Sequence, residues 1–154
     1  MEQINKNYDA IIVGGGPSGC SCAYELIKSG KKVLMIDKAT FPRHKPCAGG
    51  ITIKALKHLP FNIDHLVEHT AKKMKFSFGG KKQINLSHDN GSCVMVIRDK
   101  FDEYFFNKTL EIGVDFKKIR SNQIARRRPS RALARLAVCR ASATALVIDA
   151  RALP

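Results

Sequence analysis

Read for apolar and polar periodicity, the first 120 residues resolve into a series of short elements. Tyr8 to Val13 is a continuous apolar run of strand length, the pattern of a strand covered on both faces. Residues 17–29 follow as a helix, and Pro17 falls in its first turn, where the missing N–H has no intrahelical partner to lose. Residues 32–37 read as a second buried strand, and a long loop then runs to residue 50. Residues 51–59 predict a short helix with Ile51, Ala55, Leu56 and Leu59 on one side, and 63–70 predict a further helical turn. Met74, Phe76 and Phe78 then alternate with Lys73, Lys75 and Ser77, which is strand period. Gly79-Gly80 turns the chain, and residues 82–87 return with Ile84 and Leu86 alternating. Residues 93–98 predict another strand. Asp99 is placed as the N-cap of a helix that carries Phe101, Tyr104, Phe105 and Ile112 on one face and ends at Gly113. Residues 114–119 begin a last strand. The order is a βαβ unit followed by a β excursion, so the expected class is α/β with an inserted antiparallel excursion.

The junction of the first strand and helix carries candidate chemistry. It reads Gly14-Gly15-Gly16-Pro17-Ser18-Gly19, a G-x-G-x-x-G turn, and Asp37 ends the next strand with 17 residues between it and Gly19. Alone, the glycine pattern is weak. Between an apolar strand and a helix, with an acid near the expected offset, it is a dinucleotide fingerprint. The glycines let the backbone turn tightly and approach a diphosphate. The helix start offers N–H groups and the positive end of a dipole. Ala23, four residues past Gly19, lets the helix lie close to the sheet. Asp37 is placed to accept from a ribose hydroxyl, and its charge disfavours a 2′-phosphate, which points to FAD or NAD rather than NADP.

Two further segments narrow the choice. Lys45-Pro46-Cys47-Ala48-Gly49-Gly50 follows Asp37, and Val96-Ile97-Arg98-Asp99-Lys100-Phe101-Asp102 leads into the last helix. With Tyr8-Asp9-Ala10-Ile11-Ile12-Val13, they make residues 8–120 resemble the N-terminal part of the geranylgeranyl reductase family. The resemblance implies a Rossmann-type FAD-binding fold like that of para-hydroxybenzoate hydroxylase. It also implies reduction of isoprenoid carbon–carbon double bonds, often on membrane lipids, with the hydride coming from reduced flavin. Carried over by motif, the expected cofactor contacts are Gly14, Gly16, Pro17, Ser18, Gly19, Asp37, Lys38, Arg43, Cys47, Ala48, Gly49, Gly50 and Arg98. Ala48 departs from the family, which often has glycine there. Arg43 could reach a phosphate or be a plain surface arginine, and Arg98 a cofactor contact or a surface ion pair. Cys47 reads first as a small side chain in a tight loop, although Arg43, His44 and Lys45 could lower its pKa. An aromatic-hydroxylating flavin monooxygenase of the same fold is the alternative enzyme. No catalytic residue is assigned.

Length, charge and cysteines bound these readings. At 154 residues the chain is one domain long, whereas family members are much longer, so it is expected to be the first segment of a flavoprotein; an inactive truncated product is the third reading. A net charge of +14 invites a nucleic-acid role, but the lysines are scattered and no nucleic-acid motif accompanies them, so a solvated basic surface is expected. Cysteines 20, 22, 47, 93 and 139 form no paired framework, which fits a reducing cytoplasm. Met1 to Tyr8 is polar and predicts no secretory signal, and no apolar run reaches the ~18 residues of a membrane span. The expected partner is an isoprenoid or lipid substrate, met at the membrane periphery; the reductant is unassigned. His65 and His69 are four apart but have no good third ligand, so no metal site is expected.

The composition changes abruptly near residue 120. Residues 1–120 hold all 17 lysines and three arginines, while 121–154 hold seven arginines and no lysine. Nine of the 34 tail residues are alanine, against six in the first 120. Lys, Asn, Ile and Phe have AT-rich codons, and Arg, Ala and Pro have GC-rich ones. Residues 1–120 are therefore expected to be the FAD-binding portion, and 121–154 an Arg/Ala-rich tail that is disordered or arises from a frameshift, fusion or read-through. A basic amphipathic segment of Arg126 to Arg128 with Leu133, Leu136 and Val138, lying on an anionic membrane or on nucleic acid, is the functional alternative for the tail.

Overall fold

The structure is a computed structural model that describes residues 8–80, 82–119 and, for backbone pairing, 146–149. In chain order its elements are β1 (Ala10–Val13), α1 (Pro17–Lys28), β2 (Val33–Asp37), β3 (Gly50–Thr52), α2 (Ile53–Leu56), a 3₁₀ turn at Asp64–Leu66, β4 (Val67–Ala71), β5 (Lys73–Phe78), β6 (Lys82–Ser87), β7 (Cys93–Val96), α3 (Arg98–Glu111), β8 (Asp115–Lys118) and β9 (Leu146–Asp149). They fall into two compact units, one of residues 1–43 and 102–154, the other of residues 44–101.

The first unit is built on a four-stranded sheet in the order β8-β2-β1-β9. β1 and β8 pair with β2 in parallel, and β9 pairs with β1 antiparallel, Ala10 facing Asp149 and Val13 facing Leu146. β2 is flanked on both edges, and Val33, Leu34, Met35 and Ile36 are all buried, so its sequence is a continuous apolar run rather than an alternation. α1 lays Gly19, Cys20, Cys22 and Ala23 on the core side, with no side chain there larger than a thiol. From Asp102 onward, α3 contributes Phe105, fully buried, and Phe106. Phe106 stacks on Phe41 at 4.3 Å between ring centroids and 13° between planes, and meets Phe116 of β8 edge-on at 4.8 Å. Tyr8 donates to Asp115 Oδ2 at 2.9 Å, joining the entry to β1 with the start of β8.

The second unit holds an antiparallel three-stranded sheet, β3-β7-β4, and a separate hairpin of β5 and β6. The hairpin has the predicted alternation, Met74 facing Leu86 and Phe76 facing Ile84, closed by Gly79 and Gly80 at φ +55° and +71°. Its apolar face is exposed: Phe78 is 84% exposed and Ile84 61%.

Three elements differ from the sequence expectation. The helix expected at 51–59 shrinks to the single turn of α2, because Gly50–Thr52 pairs with Met95–Cys93 of β7 instead. Thr52 then caps that turn, its Oγ1 accepting from Ala55 N–H at 3.2 Å. The helical turn expected at 63–70 is a 3₁₀ turn followed by strand β4; a register shift between Val67 and His69 breaks its alternation and hid it. This puts His65 and His69 on different elements. α3 begins one residue before the expected cap: Asp99 lies in its first turn, where its charge favours the helix dipole, and Phe101 N–H donates to the Ile97 carbonyl at 2.9 Å. Of the Arg/Ala-rich stretch 121–154, Leu146–Asp149 is described, as β9; the basic segment 126–138 lies outside the described residues, as does Cys139.

Candidate cofactor site

The turn after β1 is held in shape by contacts that its glycines make possible. Gly14 adopts φ +111°, a left-handed conformation that side chains resist, and its N–H donates to the Ile36 carbonyl of β2 at 2.8 Å. A Cβ on Gly19 would land on the Gly14 carbonyl oxygen, so helix and turn touch only because residue 19 is glycine. A Cβ on Gly14 would meet nothing within 4 Å, so the outer side of the turn is open. α1 starts from Gly16 with Pro17 in its first turn, no side-chain cap and no acidic residue there, which leaves this end suited to an anion.

Asp37 closes onto this turn. Its Oδ2 accepts from Gly15 N–H at 2.7 Å and its Oδ1 from Ala39 N–H at 2.8 Å. A carboxylate offers about four lone-pair sites, so both oxygens keep acceptor capacity for a hydroxyl. Behind the turn, the Cys20 thiol donates to the Gly15 carbonyl at 3.4 Å. Burial pushes this thiol up to about 11; the Asp102 and Asp37 carboxylates act in the same direction, against Thr109 and Arg43.

Arg43 stands at the mouth of the turn. Its Nη2 lies 3.2 Å from where a Gly16 Cβ would be and 3.1 Å from Asp102 Oδ2. Its guanidinium lies over the Phe41 ring at 5.2 Å, and its Nε is buried without a hydrogen-bond partner. A glycine turn, an uncapped helix start and a guanidinium with an unspent donor together fit an anionic, diphosphate-bearing group.

The expected contacts divide between the units. Gly14, Gly16, Pro17, Ser18, Gly19, Asp37, Lys38 and Arg43 lie in the first, with Lys38 exposed. Cys47, Ala48, Gly49, Gly50 and Arg98 lie in the second. There, two motifs 46 positions apart become neighbours: Val96 N–H donates to the Gly49 carbonyl at 3.0 Å, and Gly49 at φ +75° packs so closely on the Val96 carbonyl that a Cβ would collide with it. Cys47 and Ala48 are exposed and Arg98 is half-buried. Sequence reasoning missed Asp102. It is fully buried, and its signal was a carboxylate on the apolar face of a helix, in register with Phe105, Phe106 and Thr109.

A family model described as FAD dependent oxidoreductase matches residues 9–153. The chain belongs to this family of FAD-dependent oxidoreductases. Among its relatives is the geranylgeranyl diphosphate reductase of Rhodobacter capsulatus, 31% identical over 109 residues, covering 70% of this chain and 27% of the relative. The digeranylgeranylglycerophospholipid reductase of Methanocaldococcus jannaschii is 30% identical over 117 residues, 73% of this chain and 29% of that one. The crystal structure of a geranylgeranyl bacteriochlorophyll reductase-like protein from Thermoplasma acidophilum superimposes with a TM-score of 0.63 at 28% identity, covering 71% of this chain and 29% of that one. The chain thus spans under a third of the length of each. FAD is the cofactor of the family, and a glycine turn that admits a diphosphate is what that cofactor requires.

Proposed function

We propose that this FAD-dependent oxidoreductase is a reductase of isoprenoid carbon–carbon double bonds, and that its first unit holds the diphosphate and adenosine end of FAD. The observation that carries the binding half is the Arg43 guanidinium beside Gly16, with its buried, unpartnered Nε, at the uncapped start of α1. In this reading the turn Gly14 to Gly19 and Arg43 bind the diphosphate, and Asp37 accepts from the adenosine ribose while its bonds to Gly15 and Ala39 hold it in place. Lys38, Cys47, Ala48, Gly49, Gly50 and Arg98 complete the proposed set, with Gly49 and Gly50 allowing close approach of backbone to the flavin. Bound and reduced, FAD supplies the hydride.

The substrate half is supported by the names of two relatives, both reductases of geranylgeranyl compounds. In this reading a membrane lipid substrate is met at the bilayer surface; no helix among the described residues is long and apolar enough to cross a membrane. Titration of the chain with FAD, followed by incubation of the flavin-loaded, chemically reduced protein with geranylgeranyl diphosphate under nitrogen, tests both halves. Flavin binding and a mass gain of H₂ for each double bond are expected. Absence of flavin binding would refute the cradle, and unchanged geranylgeranyl diphosphate beside flavin that stays reduced would refute the substrate.

A further inference from the structure

We propose that Asp102 is a positioning residue for cofactor binding: its buried carboxylate orients the Arg43 guanidinium over the glycine turn before the diphosphate arrives. This deepens the reading of residues 14–19 and Arg43 as the diphosphate cradle and rests on it.

Asp102 is fully buried, and a carboxylate is expelled from such a place unless a cation and hydrogen bonds hold it. Arg43 is a cation that holds it, at 3.1 Å, but the two are buried unequally: the Arg43 side chain keeps 20% exposure and Asp102 none. The acid is thus the inner anchor and the arginine the outer face. A single nitrogen, Nη2, reaches both Asp102 and the space above Gly16, so its bond to the acid also sets where the fork sits over the turn.

The plane of the fork is set by the same helix. Asp102 and Phe106 are four apart on α3 and so share a face. Phe106 stacks on Phe41, and the Arg43 guanidinium lies on Phe41. α3 therefore fixes the charge of Arg43 through Asp102 and its tilt through Phe106 and Phe41. A free arginine side chain must be ordered when an anion binds, and this one is ordered beforehand. Arg43 Nε is buried without a hydrogen-bond partner, so the pair with Asp102 leaves a donor of the fork unspent.

The test uses the full 154-residue chain and three variants, Asp102→Asn, Arg43→Lys and the double variant Asp102→Asn/Arg43→Lys, titrated with FAD and with riboflavin, which lacks the diphosphate. Asp102→Asn and Arg43→Lys are each expected to weaken FAD binding by about tenfold and to leave riboflavin binding unchanged. The double variant is expected to bind FAD no worse than Arg43→Lys, because Asp102 acts through Arg43. Arg43→Lys keeps a charge at a partly exposed position, so it remains informative if Asp102→Asn fails to fold. Wild-type FAD affinity in folded Asp102→Asn, or additive losses in the double variant, would overturn the positioning role while leaving the cradle standing. Full affinity in Arg43→Lys would overturn the part of the Arg43 guanidinium in the cradle, and this inference with it. An unmodified chain that binds riboflavin and FAD equally, or neither, would overturn the cradle and this inference with it.

Discussion

At the scale of single residues, the glycine turn shows what a local pattern can and cannot carry. Gly14 and Gly19 are required by one conformation and one close approach, both within a six-residue span, and their spacing between an apolar strand and a helix announced them. Asp37 was legible as the acid ending the second strand, but its hold on the Gly15 amide emerges only when β1 and β2 lie side by side. Cys20 gives the residue-scale prediction. Its thiol is pushed up to about 11 in the folded protein, chiefly by burial, from an ordinary 9.0. Below pH 9 the thiol is protonated in both states and adds no pH dependence. Between pH 9 and 11 the unfolded chain loses the proton first, so stability falls as pH rises, by roughly 2–3 kcal/mol in all. Cys20→Ala is expected to remove that part of the alkaline slope, as measured by urea melts across this range; an unchanged slope would show that the thiol is not so perturbed.

Elements were legible where their own periodicity matched their burial. The β5–β6 hairpin alternates cleanly and forms as expected. β4 does not, because a register shift between Val67 and His69 disrupts the two-residue repeat and exposes Glu68 and His69. Ile51, Ala55, Leu56 and Leu59 fit a helical face, yet pairing with β7 outweighs that local preference over Gly50–Thr52. The hairpin gives the element-scale prediction. Phe76, Phe78, Ile84 and Leu86 lie on one face and are each at least half exposed, a surface that favours self-association. Phe78→Ser removes the most exposed of them, so it is expected to change stability by under about 0.5 kcal/mol while lowering association in sedimentation velocity. A large drop in melting temperature would show that the face is covered.

At the scale of the whole molecule, two compact units interleave along the chain, since residues 44–101 interrupt the unit formed by 1–43 and 102–154. Beyond the composition break, Leu146–Asp149 pairs with one edge of β1. A chain ended at Ile119 leaves that edge open, and its melting temperature is expected to fall by several degrees. Equal melting would show that β9 contributes nothing to stability. The strand–turn–helix setting of the glycines, the buried second strand and the hairpin were written in short stretches, because each depends on neighbours within one or two turns of chain. Their agreement with a known cofactor fingerprint pointed to FAD or NAD, and the Lys45–Gly50 and Val96–Asp102 segments narrowed it to FAD. Strand order, the conversion of 67–71 to a strand and the meeting of Gly49 with Val96 depended on remote partners. So did the most consequential contact, Asp102 with Arg43, 59 positions apart. A carboxylate on an apolar helix face is a contradiction in sequence, because burying a charge is unfavourable. Only folding supplies the cation that resolves it.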